Sequence, residues 1–282
     1  MARVAAQAMP LRPKAAQRRE LIKRLASANG LVNVEQLASS FDVTPSTIRR
    51  DLSALSRRGE LARTYGGAIT TAQPPEEPLG QRAGLATVQK EHIARLAASL
   101  IEDGEAVILD AGTTTGQLAR HLRYRDGLTV ITNGLTIMTE LAEADGVHVI
   151  GLGGDLRHIS QGFAGPLAEL TLSRLTAGRA FLGADGLDAR LGICEASLAQ
   201  TRLKELMMAR AGQVYLLADS TKLGRAPFGA WAPLDGPWTL ITDSSASEAQ
   251  LAPFRDLPDV TVIVVPVPPA QAGSAAAAPA LA

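Results

Sequence analysis

The chain is short of cysteine and histidine, has no net charge and has no long apolar run. Each shortage closes off a class of protein. One cysteine, Cys194, in 282 residues excludes an intramolecular disulfide and any multi-cysteine metal site, and it fits a reducing compartment. The four histidines, His92, His121, His148 and His158, are scattered and share no metal-ligand spacing. No Ser/His/Asp arrangement stands out. No apolar stretch reaches the roughly 18 residues of a membrane span. The basic first 15 residues are interrupted by Pro10 and Pro13 and lack the apolar centre of a signal peptide. There is no internal repeat. What is present is 46% hydrophobic and 20% charged residues, enough for a sizeable core and against wholesale disorder. The expectation is a soluble cytoplasmic protein with no metal, no cofactor and no membrane partner.

The zero net charge hides an asymmetry. Residues 1–70 hold 12 Lys/Arg against 5 Asp/Glu, a net of +7, and residues 71–282 hold 16 against 23, a net of −7. A basic head on an acidic body suits a polyanion-binding module attached to something else. Composition divides the chain further. Residues 1–15 read as a flexible basic arm, 16–72 as a small helical domain, and 73–88, with three prolines and two glycines, as a linker. Residues 89–265 alternate apolar strand-like and amphipathic helical runs, and 266–282 read as a disordered low-complexity tail.

In the head, Leu21, Ile22 and Leu25 form one helical stripe. Asn33 with Gln36 three residues later has capping-box spacing for a second helix, whose buried side is Val34, Leu37, Ala38 and Phe41. Asp42 and Val43 make a tight turn. Thr44 can cap a third helix, and Pro45 suits its first position, where no amide donor is needed. Ile48, Leu52 and Leu55 then face inward, leaving Ser46, Thr47, Arg49, Arg50 and Ser53 on outer or flanking surfaces. Gly66-Gly67 gives the following segment the flexibility of a short β wing. Two short helices, a tight turn and a third helix with arginines near its start describe a winged helix-turn-helix. Such a third helix enters the DNA major groove by its N-terminal part, where arginine pairs bidentately with guanine. Arg57, Arg58, Arg63 and Lys23 are assigned to the phosphate backbone.

In the body, strand-like runs fall at 106–110, 128–132, 147–151, 179–183, 214–219, 238–242 and 260–265, with helical patterns between most of them. That alternation means a mostly parallel sheet with covered faces, whose ligands bind beyond the carboxyl ends of the strands. Those ends carry Asp110, Gly112 and the run Thr113-Thr114-Thr115, then Asn133, the pair Gly153-Gly154, Asp185, and Asp219 with Lys222. Threonines, lysine and a helix N-terminus suit a phosphate, while carboxylates and an amide suit sugar hydroxyls.

The segment "VEQLASSFDVTPSTIRRDLSALSRRGELARTYGGA" resembles the helix-turn-helix of the DeoR family of bacterial sugar-metabolism regulators. Thr44 stands where the family has serine, and Tyr65 where its wing has histidine. Over about 89–265, "LDAGTTT", "ITNGL", "GLGGDLR", "FLGADGLD" and "LADSTKLGR" are similar to the effector domain of the same family. The resemblance implies a fold like that of pentose-phosphate isomerases and CoA transferases. It implies Asp110, Gly112, Thr113, Thr114, Thr115, Asn133, Gly153, Gly154, Asp185 and Lys222 as effector contacts. For DNA binding the assigned set is Thr44, Ser46, Thr47, Arg49, Arg50, Arg57, Arg58 and Arg63. Cys194-Glu195 and Gln200-Thr201 depart from the family pattern. The expected function is a transcription regulator, a repressor of a carbohydrate-metabolism operon. Its partners would be double-stranded operator DNA, a phosphorylated sugar and further copies of itself in a homo-oligomer. The alternative is a sugar-phosphate isomerase with an accessory DNA-binding domain, for which Asp110, Asp185 or Glu195 would supply the base.

Overall fold

The computed structural model describes residues 14–29, 31–57, 61–64, 67–70 and 76–268. Nearly all of the basic arm, Arg58, Tyr65, Gly66 and most of the C-terminal tail lie outside them, as does the side chain of Arg63.

The head runs α1 (Ala15–Asn29), β1 (Leu31–Asn33), α2 (Val34–Ser40), α3 (Pro45–Arg57), β2 (Leu61–Thr64) and β3 (Gly67–Thr70). Asn33 caps α2, its side chain accepting from the Glu35 amide at 2.8 Å and the Gln36 amide at 3.3 Å. Asp42 turns the chain with φ +49°. The buried faces of the three helices meet in one core of Ile22, Ala26, Leu37, Phe41, Ile48, Leu52, Leu55 and Leu61, with Leu21 and Leu25 half-buried at its rim. Each fully buried apolar side chain contributes about 1.5–3 kcal/mol. β1, β3 and β2 form an antiparallel sheet in that order. The head is therefore a winged helix-turn-helix.

The body continues with α4 (Leu79–Ala83), α5 (Thr87–Ser99), β4 (Ala106–Leu109), α6 (Thr113–Leu122), β5 (Leu128–Thr132), α7 (Leu135–Leu141) and β6 (Val147–Gly151). Next come β7 (Asp155–Arg157), β8 (Gly162–Ala164), α8 (Pro166–Leu172), β9 (Ala177–Leu182), β10 (Gly186–Asp188) and β11 (Gly192–Glu195). α9 (Leu198–Ala209), β12 (Ala211–Leu217), β13 (Ala230–Ala232), β14 (Trp238–Asp243), α10 (Glu248–Arg255) and β15 (Val260–Val265) complete it. The seven strands expected from the sequence form one seven-stranded sheet, in the order β15-β14-β12-β9-β4-β5-β6, with every pairing parallel.

Helices cover both faces. Val107 and Leu109 of β4 point into a core with Ile93 of α5, Leu118 of α6 and Ile137 of α7. Ile108 between them points to the opposite core, with Leu172 of α8, Met207 of α9 and Phe254 of α10. This period-2 split is why the strand reads as continuously apolar. The strand order reverses direction between β4 and β9, and such a switch point opens a crevice beyond the carboxyl ends of the two strands. Two small antiparallel sheets, β7-β8 and β10-β11-β13, are additional to the sequence reading. Their strands have three or four residues each, too few for alternation to show.

The linker expectation needs correcting. From Glu76 onward the segment 73–88 packs on the body. Leu79 of α4 is 8% exposed and its N–H donates to the Ile159 carbonyl at 2.8 Å, while α5 already begins at Thr87. Pro78 ends the extended part and precedes α4, so the proline marks a helix start here rather than a free spacer. Among the described residues no helix is long and apolar enough to cross a membrane.

Candidate functional site

α3 starts at Thr44, whose Oγ1 accepts from the Thr47 amide at 3.4 Å and lies 2.8 Å from the Ser46 hydroxyl and 3.0 Å from that of Thr47. Ser46, Arg49, Arg50 and Arg57 are exposed, and Thr47 is half-buried. Arg49 makes a solvent-open pair with Glu35 at 3.4 Å, the two side chains being 57% and 62% exposed. Such a pair is weak and exchangeable. The inward side of the same helix is held differently. Asp51, 2% exposed, takes the Arg18 guanidinium at 2.6 Å and that of Arg19 at 2.8 Å. The arginines of α1 thus lock α3 from behind while its own arginines face out. The sequence reading missed Asp51. Its signal was position: 48, 51, 52 and 55 share a helical face, so this aspartate had to be buried.

At the switch point, two adjoining depressions open beyond the strand ends. The first is lined by Arg82, Lys90, Gly112, Thr113, Thr114, Asp185, Glu195, Lys204, Asp219 and Lys222 among others. Gly112 precedes α6 in extended conformation with no side-chain cap, so the first amides of the helix remain available. Lys222 sits in a 3-10 turn capped by Asp219, which accepts from the Thr221 amide at 3.1 Å. Lys90 reaches in from α5 and donates to the Arg82 carbonyl at 2.6 Å. Burial lowers its pKa to about 8, against the pull of Asp219 and with Lys222 and Arg82 adding to the fall.

Behind these groups lies a buried charge cluster. Lys204 of α9 pairs with the Asp110 carboxylate, donates to the Gly183 carbonyl at 2.8 Å and meets Glu195 at 3.0 Å. Asp110 also accepts from the Gly183 amide at 3.2 Å, and Glu195 from the Gln200 side-chain amide at 3.1 Å. Burial would lower the Lys204 pKa, but the two carboxylates outweigh it and the lysine stays charged. Burial pushes Glu195 up to about 8, opposed by Lys204 and reinforced by Asp185 and Asp110.

The site residues expected from the sequence separate into groups. Gly112, Thr113, Thr114, Asp185 and Lys222 come together in the first depression. Asp110 and Asn133 line the second, but their polar groups are already engaged. Asn133 accepts from the Ala111 amide at 2.8 Å and donates to the Phe163 carbonyl at 3.0 Å, clipping three loops together. Thr115 is fully buried and lines neither depression. Gly153 and Gly154 also lie outside both. Gly154 has φ +102°, and a Cβ there would meet the Ala164 carbonyl oxygen at 2.6 Å, so its task is close packing of the chain entering β7. Arg82, Lys90 and Lys204 were missed. Lys204 shares a buried helix face with Leu203 and Met207, a legible anomaly for a lysine. Lys90 shares the buried face of α5 with Ile93, Ala94 and Ala97, the same kind of anomaly, whereas Arg82 had no local signal. Cys194 is buried, its thiol bonded to the Phe228 carbonyl at 3.2 Å, and burial pushes its pKa up to about 12, which leaves it unreactive.

Glu195 makes stability depend on pH. An unfolded glutamate titrates near 4.5 and the folded one near 8. Between these values the folded protein holds a proton that the unfolded chain has released. Stability therefore falls as pH rises through that window and is level above it. Urea midpoints should show this decline in the unmodified protein and a flatter profile in Glu195→Gln. Equal slopes in both would place the proton elsewhere.

Residues 18–73 match the DeoR-like helix-turn-helix domain, and residues 86–244 match the DeoR C-terminal sensor domain. The chain is 36% identical over 253 residues to the uncharacterised HTH-type transcriptional regulator YulB of Bacillus subtilis (strain 168), covering 89% of this chain and 97% of the relative. It is 33% identical over 242 residues to the lactose phosphotransferase system repressor of Lactococcus lactis subsp. lactis, covering 84% and 94% respectively. Among solved structures, a D-ribose-5-phosphate isomerase in complex with phospho-erythronic acid aligns with 47% of this chain and 52% of its own, at 19% identity and a TM-score of 0.35. Fold and family models define a helix-turn-helix protein with a C-terminal sensor domain. The chain belongs to the DeoR family of transcriptional regulators.

Proposed function

We propose that this protein represses a carbohydrate-metabolism operon and that a phosphorylated sugar bound at the switch point controls its affinity for operator DNA. α3 enters the major groove with Arg49 and Arg50 toward base edges, and Arg57, Arg58 and Arg63 serve the phosphates. Residues 16–72 form the DNA-binding module. The protein acts in the cytoplasm as a homo-oligomer, because helix-turn-helix proteins read paired half-sites and the head is small. The observation that carries the effector reading is the convergence of Lys90, Lys222 and the uncapped start of α6 on one depression. Two cations and a helix N-terminus form an anion cradle. Regulation rather than turnover is favoured by the buried cluster. Lys204 ties up Asp110, one of the three carboxylates nominated as a base.

The test uses full-length protein and duplexes selected from a random pool. Arg49→Ala and Arg50→Ala should each weaken the selected duplex by about 1–3 kcal/mol, with a much smaller loss on unrelated DNA. Equal losses on both would assign these arginines to phosphates alone. Sugar phosphates should weaken the selected complex by a coupling of about 1–3 kcal/mol. The double variant Thr114→Val, Lys222→Ala should abolish that response; persistence of the response would move the effector site elsewhere.

A further inference from the structure

Arg82 is on α4, in the segment that joins the DNA-binding head to the sensor body, yet its side chain lies in the ligand depression. Its Nη1 pairs with Asp185 Oδ1 at 2.5 Å, the two side chains being 17% and 7% exposed. This contact uses one corner of each group. Arg82 Nε and Asp185 Oδ2 are both buried and have no hydrogen-bond partner. A buried donor and a buried acceptor left without partners are unfavourable as they stand. A hydroxyl group complements both, because it accepts from one and donates to the other.

We infer that Arg82 and Asp185 together form the hydroxyl-recognition half of the sensor site, with Arg82 supplied by the segment that leads to the DNA-binding head. This inference rests on the anion cradle proposed above and adds the specificity that a cradle alone lacks. Inorganic phosphate would satisfy Lys90, Lys222 and the α6 amides, but only a ligand that also carries hydroxyls would satisfy the Arg82–Asp185 pair.

The location has a consequence for signalling. The segment that carries α4 is tied to the body at three other points: Glu76 to Arg157 at 2.7 Å, the Leu79 amide to the Ile159 carbonyl at 2.8 Å, and the Lys90 ammonium to the Arg82 carbonyl at 2.6 Å. In the sequence, residues 71–75 alone separate Thr70 of the wing from Glu76. A hydroxyl held between Arg82 and Asp185 adds a tie between α4 and the loop after β9. By linkage, whatever α4 does to ligand affinity the ligand does to the seating of α4. Ligand occupancy is thus read by the chain segment that continues into the head.

The experiment compares ribose 5-phosphate, fructose 6-phosphate and glycerol 3-phosphate with inorganic phosphate on the full-length protein, read by thermal midpoint and by hydrogen exchange of residues 79–83. At least one polyhydroxy phosphate should bind more tightly than inorganic phosphate and slow exchange in α4. Arg82→Lys keeps a cation opposite Asp185 but lacks the second donor of the fork, and Asp185→Asn keeps the shape. Both should cut the preference over inorganic phosphate by ~10- to ~100-fold. Equal stabilisation by all four probes, a preference that survives in both variants, or a preference with no slowing in α4 would overturn the inference while leaving the anion cradle. Stabilisation by none of the four would remove the cradle itself and this subsite with it.

Discussion

Replacing Lys204 by methionine is expected to destabilise the sensor domain by about 3–5 kcal/mol at neutral pH, the usual result of removing one partner from a buried ion pair. Both Lys204 and Asp110 are almost wholly out of solvent, and the variant would leave the Asp110 carboxyl with only the Gly183 amide as a partner. A loss of that size is a large share of the roughly 5–15 kcal/mol that holds a folded protein together. Chemical denaturation at neutral pH measures it. The double variant Lys204→Met, Asp110→Asn should recover most of the loss, since Glu195, the other acid against Lys204, has its pKa raised to about 8 by burial and holds its proton at neutral pH. A single variant as stable as the unmodified protein would show that the cluster is held by packing and not by charge. The same experiment bears on enzymatic turnover. If Lys204 exists to neutralise Asp110, this carboxylate is not free to act as a base.

Asp51→Ala should have an effect of the same order, about 3–5 kcal/mol, concentrated in the head. The carboxylate is buried between α3 and α1 and holds Arg18 and Arg19 together. The head is small, and small domains have little stability in reserve. The variant should lose protection of α3 amides in hydrogen exchange, and with it binding to selected and unrelated DNA alike. This outcome differs in kind from Arg49→Ala, which should leave the helix formed and reduce discrimination. Unchanged α3 exchange in Asp51→Ala would mean that Phe41, Ile48 and Leu52 seat the helix unaided.

Much of the architecture was legible because it is written in local chemistry. Thr44-Pro45 announces a helix start, and the 48, 52, 55 spacing shows which way α3 faces. Seven apolar runs marked the seven strands of the sheet, since strands covered on both faces have no polar alternation to disguise them. The loops after β4 and β9 follow from the general rule that ligands bind beyond the carboxyl ends of parallel strands. What escaped had a physical reason in each case. Pro78 and Gly80 made α4 read as spacer, because composition cannot tell a proline that starts a helix from one in an extended linker. Gly153 and Gly154 looked like a ligand loop, yet neither lines a depression, and Gly154 is packed tightly against the Ala164 carbonyl. Asn133 looked like a ligand amide, and both of its polar atoms serve neighbouring backbone.

The sequence alone determined the partition into a basic helix-turn-helix and a parallel α/β domain, together with the end of the sheet where polar groups gather. Those follow from periodicity, caps and turns, which act over a few residues. Only the tertiary structure decided which polar groups are spent and which are free. Lys204 meets Asp110 across 94 positions of chain and Arg82 meets Asp185 across 103. Such pairings arise when a folded sheet excludes water and forces distant charges to answer one another, and no local pattern encodes them.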